Sequence, residues 1–210
     1  MLTPRSKRHG YHHGNLRESA IATGRDLIQQ KGIQALGLRK IADLLNVSPA
    51  ALYRHFDDLE HLQSEIAAEV RLELGESMLA ERDRISKKAN DVANAQSRFM
   101  AIGIAYLDFA NAHPRLFESA FLFSSHQAED SEDALAWTLL QESLQELREA
   151  GGLREMSDED ACILAWSTVH GFATLVAQNA IQQDDYEHMK ISVLNGIRQA
   201  LTENSGLNIM

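Results

Sequence analysis

An all-α protein is expected from this chain, with a small N-terminal three-helix unit followed by a larger helical half. Three observations carry that expectation. The 210 residues include only three prolines and are rich in Ala, Leu, Glu and Gln, which lose little on entering a helix. Apolar residues recur three and four apart along most of the length, the spacing that gives a helix one buried face. Residues 37–56, GLRKIADLLNVSPAALYRHF, divide into two short amphipathic segments joined by a three-residue turn.

Residues 1–13, MLTPRSKRHGYHH, read as a flexible basic arm carrying Arg5, Lys7, Arg8 and three histidines. Such an arm can reach a groove or the backbone of DNA, or be a plain terminus. His9, His12 and His13 have no acidic or cysteine partner nearby, so no metal site is expected there. The first helix runs from about Asn15 to Lys31 and stops at Gly32, with Leu16, Ala20, Leu27 and Ile28 as its core stripe. Gly24 interrupts it at a cost of about 1 kcal/mol against Ala, which points to a close helix contact. Ile33 and Leu36 then pack beneath the next segment.

Leu38, Ile41, Ala42 and Leu45 give a second helix, closed by Asn46, a residue that tolerates left-handed backbone. Ser48 suits the N-cap and Pro49 the first position of a third helix, expected from Pro49 to about Phe56 with Leu52 and Phe56 on one face. Two short helices, a turn and a shared seam make a helix-turn-helix. Its outer face presents Pro49, Ala50, Tyr53 and Arg54, with His55 near the edge. Small residues at the start would let the helix sink into a major groove, where base edges are exposed. On spacing alone, an ordinary helical corner is an equal alternative.

GLRKIADLLNVSPAALYRHF resembles the DNA-binding signature of the TetR family of bacterial transcriptional regulators. There a helix beginning L-[ST]-x-R-x-[IL]-A is followed by G-V-[ST] and then x-x-x-[LI]-Y-x-[HY]-F. The upstream YHHGNLRESAIATG is similar to the opening of the first helix in one branch of that family. The likeness covers roughly residues 11–70 and is diffuse afterwards. It implies a double-stranded DNA operator as partner, met by Arg39, Lys40, Ser48, Pro49, Ala50, Tyr53, Arg54 and His55. Arg39 matches an arginine that in some members reaches a base edge, and its planar fork suits guanine or phosphate equally. Lys40 suits a phosphate contact or plain solvation. Two positions depart from the pattern: Gly37 stands where Ser or Thr is usual, and Leu59 where a phosphate-touching lysine is usual.

A net charge of −10 taken whole argues against a polyanionic partner. Residues 1–56, however, hold nine Lys/Arg against three Asp/Glu, and residues 57–210 hold eleven against twenty-seven. A basic N-terminal part can hold phosphates while an acidic remainder stays off the duplex.

After Phe56, Asp57 or Asp58 caps a long fourth helix, whose Leu62, Ile66, Val70 and Leu74 continue to near Leu79; acids in its first turn suit the helix dipole. Residues 14–74 are read as the DNA-binding domain and 75–210 as the effector-binding and dimerisation domain, with the charged 81–91 segment marking a boundary. Further helices are expected at about Val92–Asn111, ending before Pro114, and at about Ser131–Ala150, stopped by Gly151-Gly152. Two more follow, from Ser157, with Asp158, Glu159 and Asp160 in its first turn, to about Gln178, and at about Asp185–Glu203.

FANAHPRLFESAFLF is similar to a helix-break-helix of the same family. Trp166-x-x-x-His170-Gly171 resembles the hallmark of one TetR-type C-terminal branch. Trp166 and His170 are four apart and share a face; packing between helices, with Gly171 permitting close approach, is the plainer account, and a pocket wall the other. Phe99, Met100, Tyr106, Phe109, Phe117, Phe121, Phe123 and Trp137 supply aromatic and soft surface, most of it core and a subset able to line a cavity. Phe99, Tyr106, Phe121 and Trp137, with Trp166 and His170, are candidates to line an effector cavity.

There is no P-loop, GxGxxG, HExxH or CxxC. Cys162 and His170 are eight apart on a helix, too far for a nucleophile–base pair. Neither an enzyme nor a cofactor is expected. The lone Cys162 leaves no internal disulfide and fits a reducing cytoplasm. No 18-residue apolar stretch marking a membrane span is expected, nor a secretory leader. The resemblance implies a cytoplasmic homodimeric repressor, paired through its last two long helices and answering to a small-molecule effector. Its operator would be pseudo-palindromic, with half-sites about 34–36 Å apart or a multiple of that. The rival is a ligand-binding or interaction protein of the same fold without operator recognition.

Overall fold

The computed structural model describes residues 16–122 and 135–202. The basic arm, Asn15, Phe123, the 131–134 start of a predicted helix and Glu203 lie outside the described residues. The architecture is all-α. Among the described residues the sole β pairing is one isolated antiparallel bridge, Leu153 with Thr202.

The N-terminal unit comprises α1 (Leu16–Lys31), a 3₁₀ turn (Ile33–Ala35), α2 (Leu38–Leu45) and α3 (Pro49–Leu52). Their apolar faces close on one another through Ile21, Ile28, Ile41 and Leu52, all buried. Gly32 ends α1 with φ 82°, a left-handed conformation that glycine adopts without strain. Gly24 faces α4, where an added Cβ would lie 2.6 Å from Ile66 Cδ1. The close contact expected at this glycine is therefore between α1 and α4.

The fourth helix, α4 (Leu59–Asp83), is capped by Asp58, whose Oδ1 accepts from the His61 N–H at 2.8 Å. Its buried stripe of Leu62, Ile66, Val70 and Leu74 continues through Met78 to Arg82, one turn past the expected end. At 1.5 Å per residue it spans about 37 Å. It leaves the N-terminal unit and enters the larger half without interruption.

That larger half is built on α5 (Val92–Ala112), which packs against α4, α6 (Pro114–Leu122), α7 (Leu135–Glu149), α8 (Asp158–Ala177) and α9 (Gln183–Leu201). His113 (φ −129°, ψ 53°) makes the break before Pro114. Ser157 caps α8, its Oγ accepting from the Asp160 N–H at 3.0 Å. The short α6 lies against α1, α4, α5 and α8. Arg115 in its first turn donates to the last carbonyls of α1, those of Gln29 and Gln30, groups that a helix cannot satisfy itself. Arg71 of α4 donates to the Ala120 carbonyl at the other end of α6.

The charged 81–91 segment is tied down rather than loose. Arg98 of α5 is buried and donates to the carbonyls of Arg82 (3.1 Å) and Ile85, while its Nε meets Glu146 Oε2 of α7 at 2.9 Å. Lys87 lies 3.3 Å from Glu146, and Arg82 lies 2.7 Å from Glu142. Burial alone would raise the Glu146 carboxyl, but the hydrogen bonds and charges of Arg98 and Lys87 outweigh it and hold the group below its ordinary range.

Removing Glu146 leaves the buried Arg98 with two carbonyls and the more exposed Asp83 carboxylate, 3.7 Å away, as partners. Glu146→Ala should therefore cost about 3 kcal/mol, the low end for a broken buried pair, in urea unfolding. Glu81→Ala, which breaks only the exposed pair with Arg84, should cost about 0–1 kcal/mol.

Candidate functional site

The surface built by α2 and α3 is held from beneath and open above. Asn46 takes the left-handed conformation (φ 55°, ψ 43°) and the Val47 N–H reaches the Ala42 carbonyl at 2.9 Å, which sharpens the turn. Leu52 and Phe56 are buried, and Phe56 meets the His61 ring edge-on at 5.7 Å. These anchors set the height of everything between them.

The third helix is shorter than expected. α3 ends at Leu52, and Tyr53–His55 form a turn in which the N–H groups of His55 and Phe56 both reach the Leu52 carbonyl, at 2.9 and 3.0 Å. The same Leu52/Phe56 seam is buried, but a tighter turn closes it. Ser48 occupies the N-cap position without a side-chain capping bond. The Ala51 N–H turns instead to the Ser48 carbonyl at 2.9 Å, so the hydroxyl is left exposed.

Arg39, Lys40, Ser48, Pro49, Ala50, Tyr53, Arg54 and His55 are all exposed. Arg39 and Lys40 stand on the first turn of α2 and the other six on α3 and its flanks. Tyr53 is a large ring 53% exposed with nothing apolar required of it by the core. Gly37 is the N-cap of α2 in extended backbone (φ −173°), and a Cβ there would meet nothing within 4 Å; a side chain is absent by composition, not by lack of room. Leu59 packs against the hydrophobic core, a role a lysine at that position could fill only with its aliphatic stem.

The larger half contains a cavity of about 310 Å³ bounded by α4–α9 and open to solvent beside Trp137, Ile163 and Trp166. Phe99 and Tyr106 of α5, Phe121 of α6, Trp137 of α7 and Trp166 of α8 all line it. His170 stands behind this wall: its Nδ1 is 2.7 Å from the Tyr106 hydroxyl, and its ring stacks on Trp166 at 5.2 Å and 16°. Phe121 meets the same imidazole edge-on at 4.7 Å. Burial pushes the His170 pKa below its ordinary value and the Tyr106 hydroxyl far above its own, so both groups are neutral near pH 7.

Reasoning from sequence missed the aliphatic and small residues of the wall, among them Met78, Gly103, Ile163 and Leu194. One signal was available: Ile163, Trp166 and Val169 are spaced to share one face of α8 with His170. Gly103 has a packing reason that only the fold reveals, since a Cβ there would lie 2.8 Å from Leu194 of α9. Within the single chain a Cβ at Gly171 would meet nothing within 4 Å and Trp166 is 41% exposed, so any close helix approach at Gly171 belongs to contact with a partner and not to packing inside the chain.

The expected absence of a long apolar stretch also needs correcting. Among the described residues α8 alone is long and apolar enough to cross a membrane by length and composition. Its first turn is acidic, with Asp158, Glu159 and Asp160, and its buried side belongs to the core. The other side leaves Ile163, Trp166 and Leu175 exposed, and α9 adds Met189 and Ile191. Cys162 is buried, and burial together with the Asp158 charge raises its pKa, which keeps it a thiol rather than a nucleophilic thiolate.

Comparison with known proteins places these two surfaces in a family context. A sequence model described as "Bacterial regulatory proteins, tetR family" matches residues 20–66, and one described as "Tetracyclin repressor-like, C-terminal domain" matches residues 99–191. The chain is 23% identical over 197 residues to the uncharacterized HTH-type transcriptional regulator YobS of Bacillus subtilis strain 168, covering 92% of this chain and 97% of that one. Among solved structures it resembles a protein of unknown function from Rhodococcus sp. RHA1, with TM-score 0.77 at 24% identity over 93% of this chain and 100% of the other. It also resembles the fatty acid degradation regulator FadR of Bacillus halodurans, with TM-score 0.66 at 18% identity over 89% and 96%.

The lowered pKa of His170 has a stability consequence of definite sign. Between the folded pKa and the ordinary value of 6.5, the unfolded chain binds the proton more readily, so stability is full above about pH 6.5 and is lost as the pH falls below it. Thermal melts between about pH 7.5 and pH 5 should show a fall in Tm. That fall should be smaller in His170→Gln than in the wild type.

Proposed function

The chain belongs to the TetR family of DNA-binding transcriptional regulators, and from that premise we propose that it is a ligand-responsive repressor. It acts as a cytoplasmic homodimer on a pseudo-palindromic operator. The observation that carries this reading is the α2–α3 surface. Eight polar, small or aromatic residues stand in solvent on it, anchored from beneath by two fully buried side chains, Leu52 and Phe56.

In this reading residues 14–74 are the DNA-binding domain. Pro49 and Ala50 let α3 approach the floor of the major groove, and Tyr53 offers a ring to thymine methyls. Arg39 reaches a base edge, while Lys40, Arg54, His55 and the uncommitted Ser48 hydroxyl hold phosphates. Residues 75–210 carry the effector cavity and the dimer contact, with the Trp-x-x-x-His-Gly sequence marking the C-terminal branch. The exposed apolar residues of α8 and α9 support pairing through those helices, because an uncovered patch of that kind is an interaction surface. The arm of residues 1–13 adds phosphate contacts that Leu59 does not make. The rival without operator recognition rests on the departures at Gly37 and Leu59 and is not favoured.

An effector in the cavity touches α4–α9 together. Its leverage on the two DNA-binding units cannot exceed its preference for one of their arrangements over the other.

Selection from a random DNA pool should return an enriched palindrome. Against that site, Arg39→Ala and Tyr53→Ala should each lose about 1–3 kcal/mol of binding in gel-shift titrations, and Arg39→Ala should relax sequence preference. If both variants bind as the wild type does, the assigned face is wrong. Leu175→Glu should shift the dimer to monomer in light scattering while leaving the helical circular dichroism unchanged.

A further inference from the structure

Resting on the reading of this cavity as the effector site, we infer the chemical class of the molecule it takes. That molecule is an uncharged aromatic of about two fused rings, carrying one hydrogen-bonding substituent held against Tyr106.

Size sets the first limit. A cavity of about 150 Å³ lined by aliphatic and aromatic side chains takes one benzene, and this one is about 310 Å³. Charge sets the second. No Asp, Glu, Lys or Arg is among the described residues that line it. A carboxylate, phosphate or ammonium held deep in it, away from the exposed faces of Trp137, Trp166 and Ile163, would be stripped of water with no counter-ion.

The walls favour rings over chains. Trp137 and Trp166 stand at 85° with centroids 6.3 Å apart, so they offer a planar guest one edge and one face. Those are the two geometries in which aromatic quadrupoles attract. The face of Trp166 is backed by the His170 imidazole stacked upon it, which holds the indole in place.

Besides the indole N–H groups of Trp137 and Trp166, the polar group carried by a lining side chain is the Tyr106 hydroxyl, 2.7 Å from His170 Nδ1. With imidazole protonated on Nε2, the Tyr106 proton is committed to Nδ1 and the phenol oxygen accepts from a guest. In the other tautomer the hydroxyl is free to donate. A ring hydroxyl on the guest satisfies either arrangement.

Calorimetry on the full-length protein with four probes tests the inference. 2-Naphthol should bind at least about tenfold more tightly than 2-naphthoate or decanoate, and more tightly than naphthalene. Tyr106→Phe should weaken 2-naphthol by roughly 3- to 10-fold and leave naphthalene unchanged, the second measurement showing that the cavity is intact. Both tryptophans of the chain line the cavity, so their emission should change on the same titration. Stronger binding of naphthoate or decanoate overturns the inference, as does a Tyr106→Phe variant that binds both neutral probes unchanged. Saturable binding of no probe overturns it as well, whether or not the variant folds.

A parallel gel shift separates this inference from the reading beneath it. If 2-naphthol binds and the operator complex stays intact, the class holds for the cavity and the effector role fails. If decanoate alone binds and releases the DNA, the effector role stands and the class is overturned.

Discussion

One winding stripe on α4 governs the arrangement of the rest. Leu62, Ile66, Val70, Leu74 and Met78 are all buried and are spaced four apart. Four residues exceed one 3.6-residue turn, so each step rotates about 40° and the stripe turns about 160° from first to last. Ile66 therefore meets Gly24 of α1 at one end, and Met78 borders the cavity at the other. Between them Gly75 is filled against by Leu135 of α7, at 2.8 Å from a notional Cβ. A single rigid element thus has to satisfy two cores at once, and neither can shift relative to α4 without opening a buried contact.

The short α6 completes that linkage. Arg71 ties it to α4, Arg115 ties it to the end of α1, and Phe121 on its last turn faces the cavity. Guanidinium groups suit this role because they cap several carbonyls at once from a fixed plane. In the proposed mechanism, a guest pressing on Phe121 is felt at the N-terminal unit through side chains already in contact. Packed interiors respond by moving between discrete arrangements rather than by bending smoothly.

Local chemistry was legible wherever a residue's role depends on its near neighbours. Asn46 in left-handed backbone, Asp58 and Ser157 as caps, and the break before Pro114 all follow from groups within four residues. The end of α3 did not follow, because Tyr53–His55 can continue a helix or close a turn with the same two anchors buried. Ser48 is a good cap by type, but its own carbonyl took the N–H first. Gly171 beside Trp166 and His170 suggested packing, but no element of the same chain lies within 4 Å of its Cβ direction. The charged 81–91 stretch reads as a boundary from its composition, and the groups that hold it, Arg98, Glu142 and Glu146, all lie outside it.

By itself the sequence determined the course of the helices other than the end of α3, the caps at Asp58 and Ser157, the helix-turn-helix and which aromatic side chains were worth watching. It could do so because helix periodicity and capping are short-range, set within one or two turns. Only the tertiary structure decided that Phe99, Tyr106, Phe121, Trp137 and Trp166 close around one space with His170 behind them. Those residues lie on four different helices, and their meeting depends on crossing angles and on close approaches such as Gly103 to Leu194. Such distances arise from the whole packed set of helices, and no local spacing encodes them.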